Sequence, residues 1–269
     1  MTLNSNNWGI RTQLAAQMYT VREHTKSAAD LTESLTKIAA IGYPGVQMSA
    51  IGAMNGESPE VSARQARKLL DDNNLKCVAT HRGWNDLVSR TEYEIEFHQT
   101  LGCDYTAVGS IPGEYRQDGL AGFSRWASEA IELASKLKAA GIRFGYHNHE
   151  FEFERSGADR KSFYDILISE GSPDLFLELD VYWAQHAGVD PTGLIQKLCG
   201  RLPVVHVKDK EVVAGKSVMA PIGEGNLDWS RIIPALKSAG TEWFCVEQDD
   251  YLRDPFDCLR SSFQYLSAG

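Results

Sequence analysis

The chain has 269 residues, 43% of them hydrophobic, and a formal net charge of -9. That length suits one large α/β barrel or two ordinary domains, with enough apolar residues for a substantial core. The acidic balance lacks the clustered Lys and Arg that phosphate backbones require, which argues against a nucleic-acid partner and for a small molecule.

The N-terminal stretch MTLNSNNWGIRTQ has no basic segment leading into an apolar one, so no signal peptide is expected. No apolar run approaches the roughly 20 residues that span a bilayer, so no membrane partner is expected. Cys77, Cys103, Cys199, Cys245 and Cys258 form no C-x-x-C pair and predict free thiols in a reducing compartment, hence a cytoplasmic protein. A homo-oligomer is left open.

In chain order, β-type runs alternate with helical ones. A strand is expected over 12–20 and a helix over 27–42, where Leu31, Leu35, Ile38 and Ala39 recur at helical spacing and Gly42 stops it. A strand over 44–52 precedes a helix over 58–73, opened by Ser58-Pro59 as N-cap and first helical residue. Strand 75–81 precedes helix 92–102, and strand 103–110 precedes helix 121–141. Strand 142–151 precedes helix 159–171, and strand 174–183 precedes helix 191–200. Strand 202–209 precedes helix 228–240, despite Pro234, and strand 243–250 precedes helix 254–268. Eight strand–helix pairs without an internal linker predict one domain over 1–269, a TIM (β/α)8 barrel. An open nucleotide-binding sheet would want a glycine-rich loop after its first strand, and QMYTVRE has no glycine.

In such a barrel the site lies at the C-terminal ends of the strands. There the third strand carries His81, the fifth His147, His149 and Glu150, and the sixth Glu178 and Asp180. The seventh carries His206, Lys208 and Asp209, and the eighth Glu247. Side chains alternate along a strand, so the apolar faces (Leu177 and Leu179, Val205 and Val207, Val246) must pack on the helices. The polar faces then point inward, and one register brings His147, Asp180, His206 and Glu247 together. A lone His or Asp at a strand end is commonly a structural or solvated group, and an Asp–His pair can be a simple hydrogen-bonded network. Two imidazoles and two carboxylates in phase on four consecutive strands point instead to a divalent cation, since burying them unpaired is costly. The mixed N/O set suits Mn, Zn, Fe or Co better than Ca. His24, His98 and His186 lack such company and are assigned to the surface. Trp84, Trp183 and Trp229 are assigned to packing, with a sugar-pocket wall as the alternative. Glu152 and Glu154 are assigned to solvated loop positions.

The stretches GYHNHEFEF, ELDVYWAQHAGVDP, VVHVKD, PIGEGNLDW and CVEQDD, with QMYTVRE and GYPGVQM earlier, resemble the sugar phosphate isomerase/epimerase family. These are xylose-isomerase-like TIM barrels, grouped with AP endonuclease family 2, and the resemblance covers nearly the whole chain. It implies a divalent ion, most often Mn2+, held by Glu, Asp, His and Glu from strands five to eight. Asp180, His206 and Glu247 match the last three; His147 aligns with the first, with His149 or Glu150 as the alternatives if the strand ends early. Trp183 stands where the family often has a His. The resemblance implies an isomerase or epimerase of a small sugar, ketose or polyol acting through an enediolate, in which paired glutamates move the proton. With His147 replacing one glutamate, Glu247 remains as ligand or base, and Glu150, His149 and Lys208 become candidates for the second acid/base. Lys208 could instead anchor a substrate hydroxyl or stabilise an enolate. His81, Arg82, His149 and Trp183 are expected to touch substrate, and Glu224 to lie on a loop over the mouth. The alternative is a keto-sugar or keto-inositol dehydratase or hydratase using the same metal site. A relative of endonuclease IV and a non-catalytic sugar-binding barrel are weaker expectations.

Overall fold

The computed structural model describes residues 8–268. The strands are β1 Leu14–Gln17, β2 Gly45–Met48, β3 Lys76–His81, β4 Tyr105–Val108, β5 Arg143–His147, β6 Leu175–Glu178, β7 Val204–Val207, the hairpin β8 Asp209–Val213 and β9 Lys216–Ala220, and β10 Trp243–Val246. The helices are α1 Ala28–Ile41, α2 Ala63–Asp72, α3 Trp84–Ser89, α4 Thr91–Leu101, α5 Gly113–Gln117, α6 Gly119–Ala139, α7 Phe163–Ser169, α8 Val181–His186, α9 Pro191–Lys197, α10 Trp229–Ser238 and α11 Pro255–Ser267.

Eight parallel strands run in the order β6-β5-β4-β3-β2-β1-β10-β7. The seam between β6 and β7 is closed at the top, where the His206 N–H donates to Leu179 O at 2.9 Å and Asp180 bridges to His206. The result is a nearly closed TIM barrel ringed by helices, as the strand–helix alternation predicts.

Side-chain alternation divides each strand between two cores. Leu14, Val46, Leu177, Val205, Val207 and Val246 face outward into the large cluster shared with the helices. Ala15, Ala79, Tyr105, Ala107, Val204 and Cys245 fill the barrel interior. Gly145 is required there, because a Cβ at that position would lie 2.1 Å from the Tyr105 hydroxyl. Above this apolar floor the same inward faces turn polar, with Gln17, Gln47, His147, Glu178, His206 and Glu247 all buried.

Local chemistry explains most element ends. Ser27 and Asp30 form a capping box at the start of α1, and Gly42 ends it at φ +117°. The helix expected from Ser58-Pro59 begins five residues later. There the Ser62 hydroxyl accepts from Gln65 N and the Gln65 side chain accepts from Ser62 N, so the capping box outcompetes the Ser-Pro pair. The fifth strand stops at His147 and the sixth at Glu178, both earlier than expected. In the sixth, Asp180 opens α8 at once by accepting from Tyr182 N and Trp183 N. The short helices α3 and α5 and the β8–β9 hairpin are additions to the expected pattern. The hairpin turns at Ala214 and Gly215, both at positive φ (49° and 77°), the geometry tight hairpin turns need. Asp209 anchors its base: buried, it accepts from Lys210 N, Gly223 N, Gly225 N, Leu227 N and Trp229 Nε1.

Candidate metal centre

The polar ends of β5, β6, β7 and β10 meet beneath a cavity of about 500 Å³ at the barrel mouth. Its lining includes Tyr19, Ser49, His81, His147, His149, Trp183, Glu247 and Asp249. Under it lie two nests of donor atoms that share one imidazole. Asp180, His206 and Glu247 place ligand atoms within 4.8 Å of one another, and so do His81, His147, Glu178 and His206.

In the first nest His206 Nδ1 lies 2.7 Å from Glu247 Oε2 and 3.9 Å from Asp180 Oδ2. Asp180 spends Oδ1 on the N-terminus of α8, and the Asn148 side chain accepts from Asp180 N at 3.0 Å. Asp180 Oδ2 is thereby aimed at the nest, buried and without a hydrogen-bond partner. Lys208 is also buried here, its Nζ 2.9 Å from Asp180 Oδ2, 2.7 Å from Glu247 Oε2 and 2.9 Å from Asp249 Oδ2. Only the Asp249 contacts have hydrogen-bond geometry. In the second nest Glu178 is held by Gln47 Nε2 at 3.0 and 3.1 Å, by His81 Nε2, and by His206 Nε2 at 2.9 Å. Gln47 Oε1 also faces His206 Nε2, at 2.7 Å.

These contacts set the charges. Burial disfavours the imidazolium of His206, but Glu247 and Glu178 outweigh it and raise its pKa to about 10. Burial works against Glu178 as well, yet His81 and His206 hold its carboxyl down at about 2. Burial, reinforced by His206, His149 and His81, pushes His147 well below the usual imidazole range. His149 falls to about 4, first through burial and then through Lys208. Both are therefore neutral at pH 7 and available as ligands or bases. Asp180 is raised, because burial exceeds the pull of Lys208 and His206. A buried carboxylate oxygen without a hydrogen-bond partner, beside an imidazole and a second carboxylate, is a donor set that fits a divalent ion.

The structure brings Asp180, His206 and Glu247 together. His147 does not close the same nest: its Nε2 is 4.0 Å from Asp180 Oδ2, while its unpartnered Nδ1 lies 3.7 Å from Glu178 Oε1. It stands between the two nests, beside His206 at 4.3 Å between ring centroids. His81, His149 and Trp183 line the cavity. Glu150 is not brought to it; it is exposed, on the loop beyond β5.

Other placements correct the sequence reading. Arg82 lines the cavity but is committed to Glu94 through two hydrogen bonds of 2.7 and 2.6 Å. Glu224 is tied to Arg253 and Ser261 and is absent from the cavity lining. His98 is buried, its Nε2 2.7 Å from the Thr80 hydroxyl and its Nδ1 2.6 Å from Glu94 O. Glu152 is buried too, accepting from the Tyr146 hydroxyl at 2.7 Å and His149 N at 2.8 Å. Trp84 and Trp229 are core residues, in agreement with their assignment to packing. Sequence reasoning missed Gln47 and Asp249 and left Glu178 without a role. Position alone, at or just past the strand ends, was the available signal for all three.

Comparison with known proteins agrees with this architecture. The profile described as xylose isomerase-like TIM barrel matches residues 35–267. No curated protein matches the chain. A sugar phosphate isomerase/epimerase from Parabacteroides distasonis ATCC 8503 is 21% identical, with a TM-score of 0.78 over 96% of this chain and 94% of its own. A probable 3-DHS dehydratase from Bacillus anthracis is 14% identical, with a TM-score of 0.71 over 94% and 98%. The IOLI protein, solved with a zinc atom, is 14% identical, with a TM-score of 0.69 over 94% and 96%. At these identities the likeness establishes the fold.

Proposed function

The chain belongs to the xylose isomerase-like TIM-barrel family, and from that premise we propose that it is a divalent-metal-dependent isomerase or epimerase of a small sugar, ketose or polyol. The observation that carries the proposal is the orphaned, buried Asp180 Oδ2 set among Glu247 and His206 directly below the mouth cavity.

Asp180, His206 and Glu247 would hold the ion, with His147 the nearest further donor. Mn2+ is the ion proposed first, with Zn2+, Co2+ or Fe2+ as alternatives. When bound, the ion supplies Lewis-acid stabilisation of the oxyanion that develops as a proton leaves the carbon beside a carbonyl. Glu247, at the cavity wall, takes that proton. Protonated Glu247 then gives a proton to the neighbouring carbon of the enediolate, while His149, neutral at pH 7, accepts a hydrogen bond from a substrate hydroxyl. His81 holds a substrate hydroxyl. Trp183 gives the ring an apolar face. The five free thiols suit a reducing compartment, and we take the cytoplasm as its location.

Metal content tests this reading. Asp180→Asn and His206→Ala should lose bound Mn2+, and Glu150→Ala should keep it; full retention by Asp180→Asn overturns the assignment.

One observation favours a second reading, elimination of water or of a glycosidic group from a keto-sugar or keto-inositol. The cavity lining combines two carboxylates, Glu247 and Asp249, with the imidazoles of His81, His147 and His149. An acid and a base of different chemistry suit proton abstraction followed by leaving-group protonation. An unsaturated product absorbing in the near ultraviolet would select this reading.

A further inference from the structure

We propose that Lys208 is a built-in cation that occupies the divalent-ion position in the metal-free protein and withdraws onto Asp249 when the ion binds. This rests on the metal reading above.

Lys208 is 1% exposed, and its Nζ lies 2.9 Å from Asp180 Oδ2 and 2.7 Å from Glu247 Oε2. These are two of the three oxygen and nitrogen atoms assigned to the ion. Neither contact has hydrogen-bond geometry, whereas both Asp249 oxygens accept from Nζ, at 3.1 and 2.9 Å. The ammonium is thus shared by three carboxylates, with aligned hydrogen bonds at Asp249 and the shortest contact at Glu247. A divalent ion held by the same two oxygens would compete with the ammonium for their charge and their space. Asp249 offers the retreat: it lines the cavity, its side chain is 23% exposed, and it already supplies the bonded contacts. The Trp183 ring, 5.7 Å from Nζ, gives the displaced ammonium an aromatic face on the same side. The arrangement keeps an ammonium against both Asp180 and Glu247 when no ion is bound. Its cost is a lower apparent metal affinity, because the ion must first displace the resident charge.

Calorimetric titration with Mn2+ tests this on the chelator-stripped full chain. Lys208→Met should bind Mn2+ at least roughly tenfold more tightly than the wild type, and should melt at a lower temperature without metal. Asp249→Asn should bind Mn2+ more weakly than the wild type, yet change nothing in the Lys208→Met background, since it acts through the ammonium. Equal or weaker binding by Lys208→Met overturns the proposal while leaving the metal reading intact. Should Lys208→Met fail to fold without metal, the Asp249→Asn comparison in Mn2+-refolded single and double variants decides, and an undiminished Asp249 effect in the double variant overturns it. No binding by wild type or variant overturns the metal reading and this proposal together.

Discussion

Asp180 divides its two oxygens between structure and chemistry. Oδ1 caps α8, and Oδ2 faces His206 and Glu247. Asp180→Asn should therefore keep the cap and the fold while losing the ion, so its circular dichroism stays native as its metal content falls. Glu247→Gln keeps the shape of the proposed base and removes its proton affinity. Turnover should drop by roughly 10²–10⁴-fold, measured on whichever sugar the wild type converts. Glu152 offers a prediction about pH. Burial lifts its carboxyl from 4.5 to about 7, against the hydroxyl of Tyr146. A carboxyl whose folded value is raised contributes its stability in full below the unfolded pKa and loses it as the pH rises through the folded one. Between pH 4.5 and 7 the wild type should lose on the order of 3 kcal/mol that Glu152→Gln does not lose. Urea unfolding of both proteins across that window measures it, and parallel profiles would refute the assignment.

Among the elements, the loop system after β7 depends on one buried carboxylate. Asp209 gathers five donors from Lys210 through Trp229, and an amide can accept at one end only. Asp209→Asn should cost roughly 3 kcal/mol and loosen the hairpin first, visible as faster amide exchange over 210–227. The hairpin was illegible in the sequence. Its strands alternate few apolar residues, and its turn is fixed by the left-handed conformations of Ala214 and Gly215. The helices α3 and α5 are too short to establish a period. Long periodic segments such as α1 and α6 were plain, as were the strand order and the inward faces of β5, β6, β7 and β10. Groups with tertiary partners were not. His98 meets Thr80 and Glu152 meets Tyr146 through folding alone, and local sequence makes both look solvated. The Asp180–His206–Glu247 cluster was legible because strand phase projects directly onto the barrel mouth. The offset of His147 was not, because barrel packing turned its Nδ1 toward Glu178.

At the scale of the molecule, the barrel converts eight strand ends into one charged mouth above an apolar floor. Glu178, Asp180, Glu247 and Asp249 bring four carboxylates to the Lys208 ammonium and to His206, whose proton a bound ion would replace. A divalent ion reduces that imbalance in the folded state only. At a hundred times its dissociation constant it should therefore stabilise the protein by about 2.7 kcal/mol, a rise in melting temperature of roughly 5 °C or more for a chain of this size. The central claim is proton transfer at a carbon beside a carbonyl, carried by Glu247 with the ion. It is tested most directly by turnover of a sugar and ketose panel in D2O with Mn2+-loaded enzyme, read by proton NMR. The account predicts one solvent deuteron at the carbon next to the carbonyl of the product, abolished by chelation and by Glu247→Gln. Turnover without deuterium in the product, or undiminished after chelation, would contradict it.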